Sequence, residues 1–256
     1  MKITLVQPDI LWENKPGNLD KLEIMLKDIS GKTDLVILPE MFTTGFSMKV
    51  RELSEDYGAQ TFKWMENLSR KGNCAICGSF IVNLSANYLN RFVFITPDGR
   101  SFFYDKRHLF SIGGEDIKFK RGGKRLIIQY KDYRINTIIC YDLRFPVWCR
   151  NINDYDLLIC VANWPDNRRE VWNTLLKARA IENQCFVAGV NRVGIDGENI
   201  IYAGESVILD PRGKTITSLK EYEEGIVTAE ILLSDLQDFR KKFPVWKDAD
   251  DFIINI

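Results

Sequence analysis

Three short segments carry residue types that could do covalent chemistry, and each follows or lies just beyond a strand-like run. In Arg134-Ile135-Asn136-Thr137-Ile138-Ile139-Cys140-Tyr141-Asp142 an apolar, β-branched stretch runs into a cysteine, then turns through polar residues toward a helix start near Pro146. A strand-to-helix turn of this kind presents its side chain as a nucleophile elbow does. A thiolate there, beside a cation or a positioned base, is a competent nucleophile. In Asp34-Leu35-Val36-Ile37-Leu38-Pro39-Glu40 a nearly continuous apolar run delivers a carboxylate at its end, where strands of α/β folds face ligands. In Phe102-Phe103-Tyr104-Asp105-Lys106-Arg107-His108-Leu109-Phe110 two adjacent cations precede the only histidine of the chain. A fixed lysine could hold a developing oxyanion. Taken singly, each has a plainer reading: a loop acid, a solvated lysine, a buried inert cysteine. The elbow context makes Cys140 the best nucleophile of the six cysteines.

These residues need a scaffold of strands. The pattern predicts strands at Ile3–Gln7, Leu35–Leu38, Cys74–Val82, Phe92–Thr96, Phe102–Tyr104, Leu126–Tyr130, Ile135–Ile139, Leu157–Ala162, Phe186–Asn191, Ala203–Leu209 and Gly225–Glu230. Pro97-Asp98-Gly99-Arg100 and Asp210-Pro211-Arg212-Gly213 are turn chemistry between strand patterns, so two hairpins and mixed sheets are expected. Helical spacing marks Asn18–Ile29, Thr61–Arg70 and Arg169–Asn183, the last with Val171, Leu175, Ala178 and Ile181 on its apolar face. No linker or low-complexity tract divides the 256 residues, so a single α/β domain over 1–256 is expected, with 231–256 forming a C-terminal helix and tail.

Composition narrows the partners. Lys plus Arg and Asp plus Glu each total 35, giving no net charge, so a generic grip on nucleic acid is not expected. No stretch approaches the about 18 apolar residues of a membrane span. The apolar part of the opening MKITLVQPDI is too short for a signal peptide, and a cytoplasmic location is expected. Cys74 and Cys77 form a CxxC, but positions three apart on a strand face opposite ways, so no metal site is expected.

LPEMFTTGF, YDKRHLF and CYDLRFP resemble, in order, the three signature segments of the nitrilase superfamily of carbon-nitrogen hydrolases. VANWPDNRREVWNTLLKARAIENQCFVAGVNRVG and GESVILDPRGK resemble its later segments. The wording, KFPVWKDADDF included, is most similar to the bacterial omega-amidase branch, which acts on 2-oxoglutaramate. The resemblance implies a four-layer α-β-β-α sandwich, usually a homodimer, using no cofactor. It assigns Glu40 as general base, Lys106 as oxyanion stabiliser and Cys140 as nucleophile, and Glu115 is the best match to the family's second glutamate. The substrate implied is the terminal amide of a short dicarboxylate monoamide, hydrolysed through a Cys140 thioester. The Tyr141 N–H is then the second oxyanion donor and Arg168 a candidate clamp for the far carboxylate. Phe42, Phe110, Trp164 and Trp172 are candidate pocket walls. Three alternatives stay open: another superfamily amidase, carbamoylase or nitrilase; a papain-like pair of Cys140 with His108; and a non-catalytic binding homologue.

Overall fold

The computed structural model describes residues 1–255. In chain order the first strands are β1 (Lys2–Gln7), β2 (Leu35–Ile37), β3 (Glu55–Asp56), β4 (Ala75–Leu84), β5 (Asn87–Ile95) and β6 (Ser101–Asp105). They are followed by β7 (Ile127–Tyr130), β8 (Tyr133–Ile139), β9 (Leu157–Val161), β10 (Phe186–Val190), β11 (Val193–Ile195) and β12 (Ile201–Ala203). The last three are β13 (Val207–Leu209), β14 (Thr215–Ser218) and β15 (Gly225–Glu230). One sheet runs β15-β1-β2-β4-β5-β6, with β3 beside β4, and the other β14-β13-β10-β9-β8-β7. β11 and β12 pair as a separate hairpin, tied to the chain just past the end of β1 by a single bridge between Val193 and Asp9.

Each sheet has three parallel strands at its centre: β1, β2 and β4 in the first, β8, β9 and β10 in the second. Antiparallel strands flank them on both sides. β5 reverses β4 and β6 reverses β5, so β6 ends at the same edge of the sheet as β2. That edge receives both Glu40 and Lys106.

Alternation decides which face each side chain takes. Ile3, Leu5, Leu35, Ile37, Phe92 and Phe94 point between the sheets, against Ile135, Ile139, Leu157 and Ile159 of the second sheet. Their neighbours Val6, Val36, Ile76, Val93 and Ile95 point outward, under α1 (Lys15–Met25) and α3 (Gln60–Gly72). The chain also forms α2 (Val50–Leu53), α4 (Glu115–Lys118), α5 (Pro146–Cys149), α6 (Arg169–Asn183) and α7 (Leu233–Lys242). Trp172 and Leu176 of α6 cover the outside of the second sheet, meeting β10 where Gly189 leaves room for them. The layers are therefore α-β-β-α. Among the described residues, no helix is long and apolar enough to cross a membrane.

Several local expectations are corrected. α1 starts earlier than its apolar spacing suggests, because Asn14 caps it, accepting from the Gly17 N–H at 3.1 Å, and Pro16 occupies its first turn. α6 is rotated from its predicted face: Trp172, Leu176, Arg179, Ala180 and Asn183 are buried, while Ile181 is exposed. Arg179 can be inside because its guanidinium donates to the Leu143 carbonyl and to Glu182. Cys74 and Cys77 do fall in different core layers, as strand alternation requires.

The predicted Ala203–Leu209 strand is broken. Gly204 and Glu205 both have positive φ, +79° and +57°, and carry the chain from the β11–β12 hairpin into the second sheet. A Cβ on Gly204 lies 2.4 Å from the Gln7 side chain, whose amide bridges Lys220, Glu223 and Ser206. Gly204→Ala meets both the backbone strain and this clash, and is expected to lower stability by about 1–3 kcal/mol. A urea midpoint unchanged from the parent excludes this account of the break.

Candidate active site

Glu40, Lys106 and Cys140 converge. Glu40 follows β2, Lys106 follows β6 and Cys140 follows β8, so three strand ends from two sheets meet at one edge. Lys106 Nζ lies 2.8 Å from Glu40 Oε1 and 2.9 Å from Glu115 Oε2. All three side chains are essentially sealed from solvent. Glu115 reaches the cluster because Gly114, in the left-handed region at φ +73°, turns the loop into α4. One ammonium thus sits between two carboxylates.

Each carboxylate has further donors, without which its burial would be unfavourable. Glu40 Oε1 accepts from Asn90 Nδ2 at 2.7 Å, and Oε2 from the Asn163 N–H at 2.8 Å. Glu115 Oε2 accepts from the Phe110 N–H at 2.6 Å, and Asn90 also donates to Oε1 at 3.2 Å. Ser79 orients Asn90 by donating to its Oδ1 at 2.9 Å. Burial alone would push the Lys106 ammonium down, but Glu115 and Glu40 more than reverse this and hold it charged. Burial pushes the Glu115 carboxyl up despite Lys106, with Glu40 adding to the rise.

Cys140 stands at the turn between β8 and the short helices that follow, with φ at +45°. That conformation is unfavourable for a side-chain-bearing residue and concentrates at functional sites. Asp142 secures the elbow by accepting from the Ile139 N–H at 3.0 Å. Burial, and then the facing Glu40 carboxylate, push the Cys140 thiol well up, with Lys106 pulling the other way. The resting site therefore holds a thiol facing a carboxylate, with an ammonium beside both. This arrangement can remove the thiol proton as the sulfur attacks and can neutralise an oxyanion formed next to Lys106.

Cys140, Lys106 and Asn163 open onto a pocket of about 510 Å³. Phe110, Tyr141, Trp164 and Arg168 line it. Phe42 does not. It is fully buried against Trp64 and Phe80 in the outer layer of the first sheet. Trp172 lies behind Trp164, ring centroids 5.5 Å apart, as a core residue. Aromatic type alone cannot separate wall from core, since both are apolar contacts.

Other wall residues escape sequence reading, among them Phe46, Arg144 and, from the β11–β12 hairpin, Asp196 and Tyr202. Arg144 sits over the Trp164 ring at 5.2 Å and Arg168 over Phe110 at 5.6 Å. Among the described residues neither guanidinium has a carboxylate partner within 4.0 Å. Asn90 and Asn163 were missed too, although each carries a legible signal: a polar residue inside an apolar strand run, and one just past a strand end.

His108 does not take the place of Glu40. Its ring nitrogen Nδ1 is 2.8 Å from Asp142 Oδ1, and the ring stacks on Phe145 at 3.7 Å. The papain-like alternative has no geometric support.

Because burial and Glu40 raise the Cys140 thiol, its thiolate fraction at neutral pH is small. Alkylation of Cys140 by iodoacetamide is expected to keep accelerating above pH about 8.5, the ordinary cysteine value. A rate that levels off near pH 7 contradicts the thiol resting form.

The carbon-nitrogen hydrolase family profile matches residues 2–241. The chain is 43% identical to omega-amidase YafV of Escherichia coli K12 over 254 residues, covering 98% of each. It is 34% identical to the 2-oxoglutaramate amidase of Bacillus subtilis, covering 96% of each. Its fold superposes with a TM-score of 0.97 on XC1258 of Xanthomonas campestris, a CN-hydrolase superfamily protein solved with an arsenic adduct in its active site. That pair is 42% identical, and the match covers 100% of this chain and 99% of the other. With the profile running almost from end to end and the fold shared, this chain belongs to the carbon-nitrogen hydrolase family, the nitrilase superfamily.

Proposed function

We propose that the chain is an omega-amidase, releasing ammonia from the terminal amide of a short dicarboxylate monoamide such as 2-oxoglutaramate or succinamate. The observation that carries the chemistry is the sealed Glu40–Lys106–Glu115 cluster facing Cys140 on its strained elbow. Glu40 takes the thiol proton as Sγ attacks the amide carbon. The resulting oxyanion is held by the Lys106 ammonium and the Tyr141 N–H. Glu40 returns the proton to the nitrogen, the C–N bond breaks, and ammonia leaves a thioester on Cys140. Water, deprotonated by the same carboxylate, then attacks the thioester carbon, the C–S bond breaks to free the acid, and Glu40 returns its proton to the Cys140 sulfur. Glu115 stays in place throughout as the second counter-charge that fixes Lys106. Each step uses the chain's own groups.

Substrate choice rests on the two guanidiniums that have no carboxylate partner among the described residues. Arg144 and Arg168 put two positive charges beside the Trp164 and Phe110 rings of the pocket wall, which suits a substrate with a carboxylate far from its reacting amide. A nitrile or neutral amide would leave both without a counter-ion. The relatives named omega-amidase and 2-oxoglutaramate amidase agree with this reading. The same proposal includes a cytoplasmic location, consistent with six free cysteines. It also includes a homodimer through a helical face, where Val147, Ile152 and Ile181 are exposed.

Ammonia release from 2-oxoglutaramate and succinamate, beside glutamine, a neutral amide and a nitrile, tests the assignment. Cys140→Ala is expected to be inactive with its fold intact, and Glu40→Gln to fail in both acylation and deacylation. Turnover by clean Cys140→Ala would overturn the mechanism. Arg144→Gln and Arg168→Gln are each expected to lower kcat/KM for succinamate by about 10- to 100-fold, the value of one charge-assisted hydrogen bond. Equal losses on the neutral amide would remove the carboxylate clamp from the proposal.

A further inference from the structure

Lys106 and Cys140 belong to different sheets, so no β-ladder sets the gap between them. A buried side-chain bridge does span it. Asp142, fully sealed from solvent, accepts from four donors. Its Oδ1 takes the His108 backbone N–H at 2.8 Å and faces the His108 ring Nδ1 at 2.8 Å. Its Oδ2 takes the Tyr104 hydroxyl at 2.7 Å and the Ile139 N–H at 3.0 Å. The Tyr104 oxygen in turn accepts from Trp148 Nε1 at 2.9 Å and from the Arg107 N–H at 3.3 Å.

The positions of these partners matter. Tyr104, Arg107 and His108 bracket Lys106, two residues before it, one after and two after. Ile139 and Asp142 bracket Cys140 in the same way. One carboxylate therefore ties the chain on both sides of the ammonium to the chain on both sides of the thiol. Trp148 anchors the far end, from the helix the elbow leads into. The His108 ring, held flat on Phe145 at 3.7 Å and edge-on to Trp148 at 6.0 Å, is fixed as part of this bridge.

We propose that Asp142, acting through Tyr104 and His108, is a positioning residue that sets the distance between the Lys106 ammonium and the Cys140 sulfur. The proposal rests on the Glu40–Lys106–Cys140 reading above. It gives the single histidine a function without making it a base, because His108 holds the lysine loop against the elbow. Asn at position 142 cannot replace the carboxylate. It would turn an amide N–H toward either the His108 donors or the Tyr104 and Ile139 donors, and so release one arm of the bridge. A small displacement of catalytic groups is costly to rate: about 100-fold for 1 Å. The pocket walls are not part of the bridge, so substrate binding is spared.

The test measures steady-state kinetics on succinamate and the pH profile of Cys140 alkylation by iodoacetamide, in Asp142→Asn, Tyr104→Phe and His108→Gln. Circular dichroism and Tm report the fold. Asp142→Asn is expected to lower kcat by about 10- to 100-fold, with KM within about two-fold. Its alkylation profile should move to higher pH, because Lys106 is the group pulling the thiol down. Tyr104→Phe should do the same to a smaller degree, and His108→Gln, which keeps a donor toward Asp142, less again. Unchanged kcat and alkylation profile in folded Asp142→Asn overturn the proposal. So does a loss confined to Tm or to KM. If Asp142→Asn does not fold, Tyr104→Phe decides by the same criteria. Inactive Cys140→Ala beside normal Asp142→Asn removes the bridge alone, whereas active Cys140→Ala removes the mechanism beneath it. If no amide in the panel is turned over, the alkylation profile decides: a shift to higher pH supports the bridge, and an unmoved profile overturns it.

Discussion

Everything at this site depends on holding one ammonium and two carboxylates out of water. Isolated charges in such a place are unfavourable by several kcal/mol each, so they persist only where partners replace the lost water. Here Lys106 is met by Glu40 and Glu115, and the carboxylate oxygens left over are met by Asn90, the Asn163 N–H and the Phe110 N–H. The low dielectric that makes the arrangement demanding also makes it effective: a fixed positive charge beside the sulfur acts strongly on a developing oxyanion.

The fold meets that demand through its topology. Parallel strands at the centre of each sheet send their carboxyl ends to one edge, and the antiparallel pair β5–β6 brings Lys106 back to the same edge. The apolar layer between the sheets fixes their separation by close packing, which tolerates little displacement. What packing leaves open, polar bridges close. Asn163 reaches from the end of β9 to Glu40, and Asp142 from the elbow to the lysine loop. The strained φ of Cys140 persists because these constraints over-determine it.

How much of this was legible follows from what each signal depends on. Most strand positions and the three candidate site residues were legible because burial pattern and strand ends are properties of a few consecutive residues. Phe42 and Trp172 were misplaced because a buried aromatic and a wall aromatic have the same local sequence. What separates them is which layer lies opposite. The face of α6 was misjudged because the buried Arg179 is admitted by the Leu143 carbonyl, a partner 36 residues away. The Ala203–Leu209 run looked continuous because β-propensity does not register a chain that changes sheet at Gly204 and Glu205.

The sequence by itself therefore determined the mixed α/β architecture, the candidate nucleophile on its elbow, the carboxylate and the lysine, and through their motifs the family. These are local facts, written in spacing and residue type. Only the tertiary structure decided that Glu115 closes the cluster and that Asn90 and Asn163 hold the carboxylates. It alone left Arg144 and Arg168 without counter-ions among the described residues, and it turned His108 toward Asp142. Each of these depends on atoms brought together from distant parts of the chain, and burial and hydrogen-bond partnership exist only once the two sheets have closed on each other.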